Sequence, residues 1–397
     1  MKSFEQETAS VSQLELSHPT GTTTLDQTES AAEVHVAPRN AIELQLVKIW
    51  EQILGIEPIS VTDNFFNLGG DSLRAVSLFG QIEQQFSQNL SLSTLLQAPT
   101  VEQLASVLSQ ETELVSWSSL VPIQTTGSKP PFFCVHGNGA NVLIFNDLAR
   151  QLGPEQPFYG LQARGADGIQ QPLCRMEDMA AFYIQELRTV QPEGPYFLGG
   201  YSSGGLIAFE MAQQLHKQGE KVAFLGLLDT FVPSSFKPVS FQTRLYRHVR
   251  NFFRFGPKHV LKMTKRSYNR VYYGYACKLY QRLGFTWTTH LKRRYLNICI
   301  RQAVKDYVPQ LYPGQVTLFR ASESPPMGWY YLGRDFPTPD DWYDRDPQHG
   351  WGDLAGGGLE IHDVPGSHGT MLKELHNVEK LAEKLRACFD RAQVDVR

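Results

Sequence analysis

Nothing in this 397-residue sequence approaches the roughly 20 consecutive apolar residues that span a bilayer. The opening stretch, MKSFEQETAS, has no apolar core behind a basic region, so it does not read as a secretory signal. Cysteine is sparse: five residues, Cys134, Cys174, Cys277, Cys299 and Cys388, with no CxxC or His-paired spacing. That pattern predicts reduced thiols, no metal centre and a cytoplasmic chain. An excess of either charge is missing too, with 37 Lys and Arg against 40 Asp and Glu and a net charge of −3. The balance points to no particular partner class, and neither nucleic acid nor membrane contact is expected. One local absence stands out: from Phe241 to Lys305 there is no Asp or Glu at all.

With 42 % hydrophobic and 19 % charged residues, the remainder is globular in composition and long enough for two or three folding units. No internal repeat is visible. Residues 1–38 are rich in Ser, Thr, Glu and Gln. They offer too little apolar surface to offset the entropy of ordering and read as a disordered leader. Residues 39–113 form the next unit. In AIELQLVKIWEQILG, the residues Ile42, Leu46, Ile49, Trp50, Ile53 and Leu54 share one helical face. A loop, ISVTDNFFNLGGD, leads to a second helix from Ser72, a short helical turn follows near SLSTLLQ, and Thr100 and Gln103 form a capping box for a last helix. A small all-helical bundle results; the polar stretch ETELVSWSSLVPIQTTGSKPP, which ends in Pro-Pro, follows it and supplies a linker over 114–128.

Residues 129–397 change texture. PFFCVHG, QPFYGLQA, PYFLGG, KVAFLGLLD, QVTLFRA and LEIHDV are strand-like runs, several separated by helical patterns. Such alternation implies a mostly parallel sheet covered on both faces. A helical, aromatic and basic insertion over about 231–305 reads as a lid.

Within this unit GGYSSGG follows a strand and opens a helix. Glycines on both sides permit a strained turn that lifts Ser202 clear of the backbone and leaves the Ser203 N–H at the helix start. A serine hydroxyl needs a base. His368, in VPGSHGTML directly after the last strand, is the candidate; His362 lies inside that strand and His136 in CVHGNG reads as shaping a turn. Asp229 ends the strand after the serine's helix, with Asp363 a weaker competitor. The order Ser202, Asp229, His368 is that of α/β hydrolases. The Asn138 N–H, after PFFCVHG, is the candidate second donor to an oxyanion.

PFFCVHGNGANVLIF, QPFYGLQARGADG, GGYSSGG, LLDT and VPGSHGTML together resemble the type I thioesterase domain of nonribosomal peptide and polyketide synthases. TDNFFNLGGDSLRAV resembles the carrier domain of the same assembly lines. The fold class implied is a small all-α carrier bundle followed by an α/β-hydrolase domain with a helical lid. The resemblance implies that Ser72 carries covalent 4′-phosphopantetheine added by a phosphopantetheinyl transferase. It also implies roles as nucleophile, acid and base for Ser202, Asp229 and His368, acting on an acyl or peptidyl chain supplied by upstream synthase modules or an acyl-loading enzyme. Gly69 and Gly70 would leave room for the transferase and the arm. The implied function is release of that chain by hydrolysis or macrocyclisation.

The alternatives are a carrier module with a non-catalytic hydrolase scaffold, an editing thioesterase, or a GDSL-type esterase using Ser72 with the DPQH of Asp346–His349. No adenylation or acyltransferase segment is present, which implies acylation in trans or the tail of a longer synthase. Finally, the carrier's Glu43, Glu51, Glu57, Asp63, Asp71 and Glu83 are expected to steer it toward lid cations such as Arg247, Arg250 and Arg254.

Overall fold

The computed structural model describes residues 35–88, 90–109, 117–166, 170–233, 289–323 and 346–394, with isolated positions between 249 and 275. Residues 36–109 form a helical bundle. Helix α1, Ala41–Leu54, starts where the Asn40 side chain accepts the Glu43 N–H at 2.9 Å, and it stops at Gly55 in the left-handed region. Helix α2, Ser72–Phe86, is capped by Asp71, whose Oδ1 accepts the N–H groups of Leu73 and Arg74 at 2.8 Å each. A short α3, Thr94–Gln97, precedes α4, Val101–Ser109. The Thr100–Gln103 capping box forms as expected, with reciprocal bonds of 3.2 and 3.3 Å. The apolar face of α1 closes the core: Trp50 and Phe65 meet edge-on at 5.1 Å among buried Leu46, Leu78, Ile82 and Leu104.

Two expectations for this unit need correction. The structured part begins before residue 39, because Val61 N–H donates to the Val36 carbonyl at 3.0 Å; residues 1–34 lie outside the described ones. Gly69 and Gly70 also serve the turn itself. Gly69 has φ 84°, and a Cβ on Gly70 would fall 2.3 Å from the Phe65 ring. Glu43 is not a surface charge: it is 3 % exposed and ion-paired with Arg39 at 2.8 Å, which holds its carboxyl below the usual range.

The second unit is built on a seven-stranded sheet in the order β1-β3-β2-β4-β5-β6-β7. Six strands coincide with the six runs read from sequence: β2 (Phe132–Val135), β3 (Phe158–Leu161), β4 (Tyr196–Tyr201), β5 (Val222–Leu228), β6 (Val316–Ala321) and β7 (Leu359–Val364). All their pairings are parallel. The seventh, β1 (Leu120–Gln124), falls inside the stretch expected to be linker and pairs antiparallel with β3. Pro122 hid it: proline cannot donate to a ladder, but an edge strand with one free side tolerates it. Of that linker, residues 114–116 lie outside the described ones, as do residues 110–113 at the end of the bundle unit.

Alternation along each strand sends side chains to opposite faces. Phe133, Val135 and Leu198 face a core closed by α6 (Met176–Arg188), α7 (Ser203–Lys217) and α8 (Thr289–Asp306). Phe132, Cys134 and Phe197 face α5 (Asn146–Leu152) and α9 (Leu375–Val394), where Phe389 packs on Phe132 and Phe224 at 4.9 Å each. Each such aromatic contributes about 1.5–3 kcal/mol by leaving water. This is an α/β-hydrolase sheet with one antiparallel edge.

The bundle touches the sheet domain through Arg150 to Asn67 (3.0 Å) and Gln162 to Ser93 (3.3 Å), and Leu143 is buried in the bundle's core. Of the lid expected over 231–305, α8 and a few isolated positions are described; Arg247, Arg250 and Arg254 lie outside the described residues. No helix among the described residues is long and apolar enough to cross a membrane.

The thiols are not all reduced. Cys174 and Cys299 are joined by a disulfide, tying the loop before α6 to α8. Their separation of 125 residues left no local spacing to read, and the pair meets only when α8 packs on the sheet's helices. Cys134 and Cys388 are free and buried, and Cys277 lies outside the described residues.

Replacing Gly70 with alanine should destabilise the bundle by about 1–3 kcal/mol, the usual cost of overpacking. Urea denaturation followed by hydrogen exchange at the bundle's backbone amides is the check, and an unchanged midpoint would show that the Phe65 contact yields without cost.

Candidate active site

Strand β4 ends at Tyr201, and the chain turns at Ser202 with φ 58° and ψ −121° before α7 begins. Few L-residues sit there, and the strain is held by neighbours on every side. The Ser202 N–H donates to the Leu228 carbonyl at 2.9 Å, and the Thr230 hydroxyl donates to the Ser202 carbonyl at 3.0 Å. The start of α7 presses so closely on the end of β2 that a Cβ on Gly204 would lie 2.2 Å from the His136 carbonyl oxygen. The G-x-S-x-G pattern is thus a packing requirement as much as a turn requirement.

His368 Nε2 lies 3.1 Å from Ser202 Oγ, and His368 Nδ1 lies 2.7 Å from Asp229 Oδ2. Asp229 is fully buried at the end of β5, with φ 44°, and its second oxygen accepts the Ala321 N–H at 3.0 Å. Burial works to raise the Asp229 pKa. The hydrogen bond and charge of His368, with His349 and the Ala321 N–H, outweigh it and hold the carboxyl below its ordinary value of 3.8. The three residues named from sequence are therefore brought together in hydrogen-bonding order. Asp363 is not part of the group: it is ion-paired with Arg320 at 2.7 Å.

The Ser203 N–H opens α7, and Asn138 lies in the loop after β2. Among the described residues neither N–H donates to a protein acceptor. Free N–H donors are what stabilisation of an oxyanion needs.

Nothing in the sequence assigns Tyr201 a role beyond preceding the serine. Its ring stacks on His368 with centroids 5.0 Å apart, and its hydroxyl donates to the His368 carbonyl. The strand-ending position makes this possible, but the stack depends on a loop 167 residues away. His136, read as shaping the turn after β2, is completely buried and bonded to Gly137 and to Tyr183.

Glu360, His362 and Cys388 bring ligand-type atoms within 4.8 Å of one another on β7 and α9. A cation is already there in protein form, since the Arg391 guanidinium bonds Glu360 at 2.5 Å and Cys388 at 3.3 Å. Ser72 stands apart from all this as the first residue of α2, partly exposed and followed by Leu73 at 75 % exposure.

Residues 45–108 match the phosphopantetheine attachment site family, and residues 130–255 match the thioesterase domain family. The chain is a carrier–thioesterase didomain. Ser72 falls in the first match and Ser202 and Asp229 in the second, while His368 lies beyond it. The didomain is 44 % identical to malpinin synthetase of Mortierella alpina over 202 residues, covering 50 % of this chain and 3 % of that protein. It is 28 % identical to chondramide synthase of Chondromyces crocatus over 388 residues, covering 92 % of this chain and 9 % of that protein. It therefore spans less than a tenth of these relatives. A crystal structure of a four-domain nonribosomal peptide synthetase, bound to AMP and glycine, matches with a TM-score of 0.51 at 25 % identity. That match covers 90 % of the didomain and 26 % of the synthetase chain. The didomain's first module thus matches a phosphopantetheine attachment domain, and its second a thioesterase domain.

Asp229→Asn keeps the shape but offers His368 Nδ1 the wrong partner, and kcat should fall by about 10⁴. Stability should respond in a pH-dependent way. Because the folded pKa is depressed, the Asp229 carboxylate stabilises the fold above its unfolded pKa, and that contribution is lost as pH falls through the folded value. Melts of wild type and Asp229→Asn should therefore converge as the pH is lowered below the ordinary carboxylate range. Parallel curves down to low pH would show that the carboxylate charge does not stabilise the fold.

Proposed function

We propose that the didomain holds an acyl or peptidyl chain on Ser72 and releases it through Ser202, as a late step of nonribosomal peptide or polyketide assembly. The observation that carries this reading is the hydrogen-bonded series Ser202–His368–Asp229 at 3.1 and 2.7 Å on the same chain as a carrier. The serine suits 4′-phosphopantetheine: it is reachable at a helix N-terminus, where a phosphodiester is favoured by the helix dipole. Attached there by a phosphopantetheinyl transferase, the group supplies a terminal thiol that holds the chain as a thioester.

His368 Nε2 removes the Ser202 proton as Oγ adds to the thioester carbonyl. Asp229 keeps the imidazole in the tautomer with its proton on Nδ1 and stabilises the imidazolium that forms. The N–H groups of Asn138 and Ser203 receive the oxyanion. His368 returns the proton to the departing sulfur, leaving an ester on Ser202, and then deprotonates the incoming nucleophile. Water yields a free acid; a hydroxyl or amine of the chain itself yields a macrocycle. Tyr201 holds the His368 ring against rotation during both proton transfers. The bonded series weighs against a purely structural hydrolase scaffold, which would have no need to hold the imidazole between a carboxylate and a hydroxyl.

Intact-protein mass spectrometry after incubation with a phosphopantetheinyl transferase and acyl-coenzyme A donors tests the division of labour. Ser72→Ala should gain no acyl-phosphopantetheine mass yet hydrolyse a small soluble thioester at the wild-type rate. Ser202→Ala should load and then keep its acyl group. Loss of both activities in Ser72→Ala, or wild-type turnover by Ser202→Ala, would overturn the scheme.

A further inference from the structure

His136 has no solvent exposure, yet both ring nitrogens are bonded: Nδ1 lies 2.6 Å from the Gly137 carbonyl oxygen and Nε2 lies 2.9 Å from the Tyr183 hydroxyl. A carbonyl oxygen only accepts, so Nδ1 carries the proton. Nε2 is then a bare acceptor, and the Tyr183 hydroxyl must donate to it. One tautomer alone satisfies the series. Burial lowers the His136 pKa to about 4, so the ring stays neutral across the range in which a histidine base operates.

The Gly137 carbonyl also accepts the Ala140 N–H at 3.0 Å. Two donors on one oxygen fix the plane of the Gly137–Asn138 peptide. In a trans peptide the carbonyl and the following N–H point to opposite sides, so the Asn138 N–H is turned away from the buried imidazole. The nucleophile turn lies close by. A Cβ on Gly137 would fall 2.9 Å from the Tyr201 ring, and one on Gly204 2.2 Å from the His136 carbonyl oxygen.

We propose that His136 and Tyr183 are a positioning pair for the oxyanion hole, clamping the Gly137 carbonyl so that the Asn138 N–H faces the thioester oxygen. The inference rests on the assignment of Ser202 as nucleophile and of Asn138 as hole donor. Neither His136 nor Tyr183 touches substrate; both act through one peptide plane. The arrangement links α6, which carries Tyr183, to the loop after β2. It gives a buried polar pair in an apolar core a function beyond packing.

The test uses the full chain and a matched pair of small soluble substrates, an oxygen ester and its thionoester. Sulfur is larger and a poorer hydrogen-bond acceptor than oxygen, so the ratio of their kcat values reads the hole itself. Losing an oxyanion donor costs about 10²–10³ in kcat, and a displaced donor should cost less. His136→Leu should therefore lower kcat on the ester by roughly 10- to 100-fold, with KM within about twofold, and the oxygen-to-sulfur ratio should fall by a similar factor. His136→Asn places an amide N–H where Nδ1 stood and should restore most of both. Tyr183→Phe, which removes the donor that selects the tautomer, should fall between. Should His136→Leu not fold, the Asn and Phe variants decide on the same two readouts. A loss of kcat with an unchanged ratio would reduce the pair to structural support and overturn the proposal, as would Tyr183→Phe matching wild type in both readouts. Acyl trapping on Ser202, followed by mass spectrometry in the same samples, separates the two levels. No acyl-Ser202 in wild type defeats the nucleophile assignment, whereas acyl-Ser202 with an unmoved ratio defeats only the positioning pair.

Discussion

The 2.7 Å hydrogen bond between Asp229 and His368 joins residues 139 positions apart, and each end is fixed by other structure before the two meet. Asp229 closes β5, donates its N–H to Phe319 of β6 at 2.8 Å and accepts the Ala321 N–H on its other oxygen. His368 sits in the loop that follows β7, where the Ser367 N–H donates to the Thr370 hydroxyl at 2.8 Å and Gly366 adopts φ 86°. A slip of one residue between β5 and β6, or between β6 and β7, would carry the partners apart. The register of three neighbouring parallel strands is thus what holds the imidazole beside the serine.

Parallel strands place all their carboxyl ends on one edge of a sheet, and that edge is where ligand sites of such folds lie. The chain uses the edge at close quarters. Ser202 and Asp229, at the ends of adjacent strands β4 and β5, both have positive φ. Each such residue costs about 1–3 kcal/mol, and the strain persists only where surrounding structure over-determines it. Here the two sheet faces supply that structure, with Leu198, Leu206 and Leu227 buried on one side and Phe197, Phe224 and Leu228 on the other.

The two serines are held in opposite ways. Ser202 is locked between two strands and a helix and hydrogen-bonded to a base. Ser72 begins a helix on a small bundle, behind a turn set by Gly69 and Gly70, and its neighbour Leu73 faces solvent. The difference suits the proposed roles, since a nucleophile needs a rigid frame to meet one carbonyl, whereas a point of attachment must stay reachable. The contact between the units is made by Asn67, Ser93 and the burial of Leu143. Leu143 follows the loop after β2 by a few residues, so the carrier packs directly against the element that continues it.

The sequence by itself determined the local features: six strands from apolar runs, α1 from its apolar stripe, the capping box at Thr100 and Gln103, and the order Ser202, Asp229, His368. Each depends on neighbours within a few residues, which periodicity and turn chemistry expose. The tertiary structure decided the rest. It placed β1 at the sheet edge despite Pro122, since only an edge accepts a residue without an N–H. It paired Cys174 with Cys299, turned Glu43 inward onto Arg39, stacked Tyr201 on His368 and joined His136 to Tyr183. The pairings of Cys174, Tyr201 and His136 link residues 125, 167 and 47 positions apart. Those are distances over which no periodicity speaks, because the contacts exist only once strand register and helix packing have brought the segments together.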